Sequence, residues 1–231
     1  MIGIDIPIMC SDLRLKRVAK LKRAGCTVMI DSGSFTIHDQ GKEFDPPAQY
    51  ADRVRGYMAE MGGVVSAAIY GEMCEEQILA KTGSTIERNQ KMTVESYCTL
   101  FQLAPEVPWL AELQGWREED YHRCADLYEA SGVDLPALPR VGLGTICRRE
   151  GTEEARRIAR SLAARGIKLH GFGVKDPKSL DSAFLSADSF AWSYGARKRT
   201  RECPHGIVRW ERNCPEFLRS WRDKILRDMS A

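Results

Sequence analysis

Six short segments hold the side chains best suited to chemistry. Asp31-Ser32-Gly33-Ser34-Phe35 follows one apolar run and Asp188-Ser189 follows another. Between them stand Tyr70-Gly71-Glu72, Gln114-Gly115-Trp116, Gly142-Leu143-Gly144 and Gly171-Phe172-Gly173-Val174-Lys175. Two carboxylates at a glycosidic carbon act as nucleophile and as general acid/base. An amide such as Gln114 offers a donor and an acceptor together, which suits a purine edge. Glycines let a flat ligand come close to backbone N–H and C=O groups. Phe35 and Phe172 have the shape to stack on the two faces of a base. Taken singly, each has a plainer reading. An Asp after a strand caps a helix, a Phe fills a core, and a Gly pair makes a turn. Their recurrence at the ends of successive apolar runs marks a site and leaves the reaction open.

Those runs are the strands that would position the site. Gly3–Met9, Thr27–Ile30, Val64–Ile69, Trp109–Leu113, Arg140–Leu143, Lys168–Phe172 and Ser186–Ala191 are short, β-rich and mostly followed by Gly, Ser or Asp. Helix-like spacing fills the intervals, at Pro47–Met61, Thr85–Leu103 after Gly83-Ser84, Glu118–Ser131, Thr152–Arg165, Pro177–Leu185 and Pro215–Met229. Thr152 with Glu153 and Glu154 reads as a cap with an acidic first turn, and Gly166 as the matching C-terminal glycine. Strand and helix in alternation imply parallel βαβ units. The expected fold is a compact, single-domain (β/α)8 barrel of the TIM type over residues 1–231, with a basic C-terminal loop and helix over 194–231. In such a barrel functional residues gather at the C-terminal ends of strands. A doubly wound open sheet is the alternative, weakened because no Gly-x-Gly-x-x-Gly follows the first strand.

Composition sets wider bounds. The chain has 231 residues, 43% of them hydrophobic, enough for a substantial core, and no low-complexity stretch. Its net charge is only +2, but Tyr194 to Ala231 carries ten Lys/Arg against five Asp/Glu. Arg197, Lys198, Arg199 and Arg201 form the densest part, an electrostatic footprint for phosphates or else a solvated surface. No apolar run approaches ~20 residues, so no membrane span is expected. The start, MIGIDIPIMC, is not a secretory signal. The eight cysteines are therefore expected as reduced thiols in a cytoplasmic protein.

With the segments in order, the chain resembles the tRNA-guanine transglycosylase superfamily. The resemblance rests on DSGSFT (Asp31–Thr36), ELQGW (Glu112–Trp116), VGLGTICRR (Val141–Arg149), HGFGVKDPKSL (His170–Leu180) and ADSFAWSYGAR (Ala187–Arg197). It looks closer to the short paralogues that insert 7-deazaguanines into DNA than to the longer tRNA enzymes. The resemblance implies a pentosyltransferase that exchanges guanine for a 7-deazaguanine such as preQ0. It implies Asp188 as the nucleophile at C1′, through a covalent glycosyl–enzyme intermediate, and Asp31 as the general acid/base. It implies Gln114, Gly142 and Leu143 on the purine edge, and Phe35 and Phe172 on its faces. No cofactor is required for this chemistry.

Three departures from the family pattern stand out. Gly71 falls where the family presents a base-binding Asp, with Glu72 beside it as the substitute or with base specificity changed. The family's zinc run is missing, and Cys203, His205 and Cys214 are the residues left to form a structural zinc site. The chain is also short, which points to DNA as the partner, to a simpler substrate, or to a protein partner or homodimer. Arg197–Arg201, extended by Arg148 and Arg149, would lie along a phosphate backbone beside the nucleophile. The readings left open are the same exchange in tRNA, an N-glycoside hydrolase acting on a nucleoside or nucleotide, and a non-catalytic nucleic-acid-binding subunit.

Overall fold

The computed structural model describes residues 6–147, 149, 151–175, 183–199, 201–206 and 208–230, without the side chains of 199, 229 and 230. Seven strands form one sheet in sequence order, every neighbouring pair parallel. They are β1 (Ile8–Ser11), β2 (Val28–Asp31), β3 (Val64–Ala68), β4 (Trp109–Leu113), β5 (Val141–Leu143), β6 (Leu169–Gly171) and β7 (Phe184–Ala187). Parallel neighbours need crossovers, and helices supply them. The described residues hold α1 (Asp12–Leu15), α2 (Ser34–Asp39), α3 (Pro47–Met61), α4 (Glu76–Thr82), α5 (Ile86–Leu103), α6 (Glu118–Ala130), α7 (Glu153–Ala164), α8 (Ala191–Arg199) and α9 (Pro215–Ser230).

The helices form where side-chain chemistry favours them. α3 opens on Pro47, preset for a first turn, and turns Tyr50, Val54, Tyr57 and Met61 into the core. Thr152 caps α7 by accepting from the Ala155 N–H at 3.1 Å, and Glu153 and Glu154 complement its dipole. Every residue of β4 is buried, as expected of a strand covered on both faces. Asp12, just beyond the C-terminal end of β1, is buried, and Arg53 grips both its oxygens at 3.0 and 2.8 Å while the Tyr57 hydroxyl donates at 2.7 Å. That cluster ties α1 to α3.

The expected eight-stranded closed barrel is not what forms. The sheet is a curled half-barrel: β1 pairs with β2 alone and β7 with β6 alone among the described residues. After β7 the chain enters α8 within four residues, and between α8 and α9 Pro204 and Gly206 interrupt the stretch ahead of a 3-10 turn at Glu211–Asn213, leaving no run of strand length among the described residues. That stretch contributes only an isolated antiparallel bridge between Glu202 and Trp210. The helix expected at Pro177–Leu185 falls largely outside the described residues, and its last two positions, Phe184 and Leu185, belong to β7.

Register fixes what faces the hollow of the sheet. Glu112 pairs with Gly142, Gly142 with His170, and His170 with Ser186. Partners in register share a face, so these four form one lateral row. Two residues further along each chain stand Gln114, Gly144, Phe172 and Asp188, at the C-terminal rim.

Candidate active site

Asp31 ends β2 and is half-buried, with Oδ1 accepting from the Gly33 N–H at 3.1 Å. Burial raises its pKa above the usual carboxylate range. The Gly33 bond opposes that shift, and the charge of Asp188 adds to it. Asp31 and Asp188 therefore share one electrostatic environment, although β2 and β7 are not neighbours in the sheet.

Asp188 leaves β7 with its N–H bonded to the Gly171 carbonyl at 3.3 Å. Its Oδ1 accepts from the Gly173 N–H at 3.1 Å. His170 Nε2 stands 3.4 Å from the same oxygen, while Nδ1 faces the Ser186 hydroxyl at 2.9 Å. His170 is buried, and Nε2 has no hydrogen-bond partner of good geometry among the described residues. Sequence reasoning alone assigns His170 no role. The signal it does carry is that of a lone polar residue two positions before Phe172 in an interior row.

Gln114, just beyond the end of β4, is completely buried. The Thr145 hydroxyl donates to its Oε1 at 2.8 Å, which turns Nε2 toward the Glu112 carboxyl at 3.4 Å. Thr145 holds a left-handed backbone (φ 55°), a strained conformation for a β-branched residue and of the kind that clusters at functional sites. Glycines make room for this group. A methyl at Gly144 would overlap the Gln114 amide, and one at Gly142 would meet Phe172 Cζ at 2.8 Å. Phe172 lies half-buried over Gly142, with its ring edge-on to His170 at 5.2 Å between centroids. Leu143 is fully buried, and Phe35 is half-buried on α2.

Two acids divide differently from their positions in the chain. Glu72 is engaged from the side, its Oε2 2.7 Å from His38 Nε2 on α2. Glu112 has no site signal of its own in the sequence beyond its place in a strand, yet it is 3% exposed and no cation pairs with it among the described residues. Burial pushes its pKa well above the carboxylate range, the charge of Asp31 adds to this, and the Gln114 amide opposes it.

The basic residues separate into two settings. Arg197 and Lys198 are exposed on α8, lying over the rings of Phe190 at 4.9 Å and Tyr194 at 4.6 Å. Those rings are themselves 55% and 57% exposed, and Arg201 follows on the same stretch. Arg149 is 9% exposed; it lies over Trp116 at 4.5 Å, bonds the Trp116 carbonyl and pairs with Glu154 at 2.9 Å. Arg148 and the side chain of Arg199 fall outside the described residues.

Cys203, His205 and Cys214 bring one thiol or ring nitrogen each to within 4.8 Å of one another. None of the eight cysteines forms a disulfide. No described helix is long and apolar enough to cross a membrane.

Comparison with known proteins gives a match of full length. A family model for DpdA, described as DeoxyPurine in DNA protein A, matches residues 2–231. No curated protein matches the chain.

Proposed function

The chain belongs to the DpdA family, DeoxyPurine in DNA protein A, and on that premise we propose that it replaces guanine in DNA with a 7-deazaguanine by base exchange at C1′. Membership implies modification of deoxypurines in DNA; the exchange mechanism is the finer reading. The observation that carries it is that Asp31 and Asp188, at the C-terminal ends of β2 and β7, stand near enough for the charge of Asp188 to raise the pKa of Asp31.

The target nucleotide must be turned out of the duplex to reach this rim. A carboxylate oxygen of Asp188 then attacks C1′, the C1′–N9 bond breaks, and its electron pair leaves on guanine. Asp31, whose pKa is raised by burial, is the group that gives that guanine its proton. An ester bond now joins Asp188 to the sugar, so one hard displacement becomes two easier ones. The incoming 7-deazaguanine returns its N9 proton to Asp31, and N9 attacks C1′ and releases the Asp188 carboxylate. Both residues end as they began. Gln114, Gly142 and Leu143 hold the purine edge, Phe35 and Phe172 its faces, and Glu72 closes the rim on the side of His38.

Arg197, Lys198 and Arg201, with Arg148 and Arg199, are the candidates for the phosphate backbone; Arg149, buried and paired with Glu154, is not among them. Cys203, His205 and Cys214 suit zinc by donor type, and three soft donors converge there. A bound ion would supply structure alone, tying the 203–205 loop to the start of α9. Metal content of the purified protein, abolished in Cys214→Ser, tests that part.

Incubation with labelled guanine or preQ0 and either DNA or tRNA tests the reaction. Label in DNA is expected, together with a trapped covalent adduct on Asp188. Label in tRNA alone would change the substrate, and label in neither would remove the mechanism.

A further inference from the structure

We infer that Glu112 selects the exchanged base by accepting hydrogen bonds from the ring N–H and exocyclic amine of a guanine-type purine; this rests on the base-exchange reading above.

Glu112 and Gln114 are two apart in β4 and so point to one face, into the hollow of the sheet. Across the register from Glu112 is Gly142, beneath the ring of Phe172. The carboxyl thus lies beside both the amide that suits a purine edge and the ring that suits its face. Its one side-chain hydrogen-bond partner among the described residues is the Gln114 amide, at a long 3.4 Å. A buried acid with neither a cation nor a short hydrogen bond is costly and has no structural return. Such groups concentrate where a ligand completes them.

Gly71 supplies an independent observation. A methyl at that position would overlap the Glu112 carboxyl and come within 2.9 Å of Gln114 Nε2. Glycine at 71 is thus the condition for Glu112 to reach this place. Glu72, the neighbouring acid, is directed to His38 at 2.7 Å. Of the acids near Gly71, Glu112 is the one beside Gln114.

The ligand follows from the donor count. A guanine-type base offers two adjacent N–H donors on one edge, and an ionised carboxylate offers two adjacent acceptors, so the base binds with loss of the proton that burial holds on Glu112. Hypoxanthine keeps the ring N–H and lacks the amine, so comparison of the two bases isolates this contact. Sites built to bond such a group reject the analogue without it far more strongly than shape alone does.

The experiment measures exchange of labelled guanine and labelled hypoxanthine into duplex DNA by wild type and Glu112→Gln, with a melting curve for each protein. The expected result is that Glu112→Gln folds and that its guanine-to-hypoxanthine ratio of kcat/KM falls by about 10- to 100-fold, the worth of one buried hydrogen bond to a charged group. A general loss of structure would lower both rates and leave the ratio unchanged. An unchanged ratio overturns the inference while leaving base exchange intact. If wild type exchanges neither base, the base-exchange reading fails. Glu112 is then judged by calorimetric binding of free guanine, where equal affinity for wild type and Glu112→Gln overturns the inference and a loss confined to Glu112→Gln upholds it.

Discussion

His170 holds Nε2 3.4 Å from Oδ1 of Asp188, and among the described residues that nitrogen has no hydrogen-bond partner. The Ser186 hydroxyl at 2.9 Å fixes the ring from its other side. On the base-exchange proposal, a ring held this way orients the carboxylate that attacks C1′. His170→Phe fills the same space without the nitrogen. We predict that it slows formation of the Asp188–DNA adduct by about 10- to 100-fold, the scale of one hydrogen bond to a charged group. Affinity for free guanine is expected to stay within about twofold of wild type on the same energy scale. Adduct formation at the wild-type rate would separate His170 from the nucleophile.

Asp31 gives a pH dependence whose sign is set by its role. Its pKa is raised, first by burial and then by Asp188, so the proton needed by the departing guanine is retained above the ordinary carboxylate range. Single-turnover adduct formation, which also needs an ionised Asp188, is expected to fall as pH rises through the raised pKa of Asp31. Asp31→Asn is expected to be slow and to lack that limb. The same falling limb in Asp31→Asn would assign the titration to another group.

Glu112 makes a prediction about stability. Its folded pKa lies well above the unfolded carboxylate value, so folding takes up a proton between the two. The associated stability is fully present below the unfolded value of about 4.3 and is lost as pH rises through the folded one. Glu112→Gln removes this loss. Its melting temperature is expected to gain on wild type between pH 4 and pH 8, by about 2–4 °C for each kcal/mol relieved. Parallel melting curves over that range would contradict an uncompensated acid at position 112.

The exposed face of α8 predicts a salt-dependent contact. Arg197, Lys198 and Arg201 project from a surface that also exposes Phe190 and Tyr194. Charge reversal at all three is expected to weaken DNA binding and to reduce the slope of log K against log salt by about 0.9 for each phosphate no longer neutralised. Reversal with an unchanged slope would place the phosphate backbone elsewhere.

Much of the fold is legible in the amino-acid sequence. Each of the seven strands lies on or beside an expected apolar run, and α3, α5, α6, α7 and α9 fall within about one or two residues of their expected spans. Regular periodicity carries those elements. The short helices α1, α2, α4 and α8 leave no such trace, since four to nine residues hold too few turns for a 3.6-residue pattern to show. Closure is the natural expectation because seven strand–helix units suggest an eighth, but strand count alone does not state whether two edges meet. The two aspartates are legible because they follow strands. His170 and Glu112 are not, because a polar residue within a buried strand shows its purpose only through its neighbours in adjacent strands.

The open seam changes what secures Asp188, the proposed nucleophile. β7 is an edge strand, hydrogen-bonded along one side only among the described residues. In a closed cylinder Asp188 would be anchored from left and right. Here its moorings run to one neighbour: its N–H to Gly171, its carboxylate to Gly173, and Ser186 to His170. The Asp188 carboxylate is thereby cantilevered from β6. Under the proposed reaction, small changes in the 170–173 segment are transmitted directly to the attacking oxygen, with no described strand on the far side to absorb them.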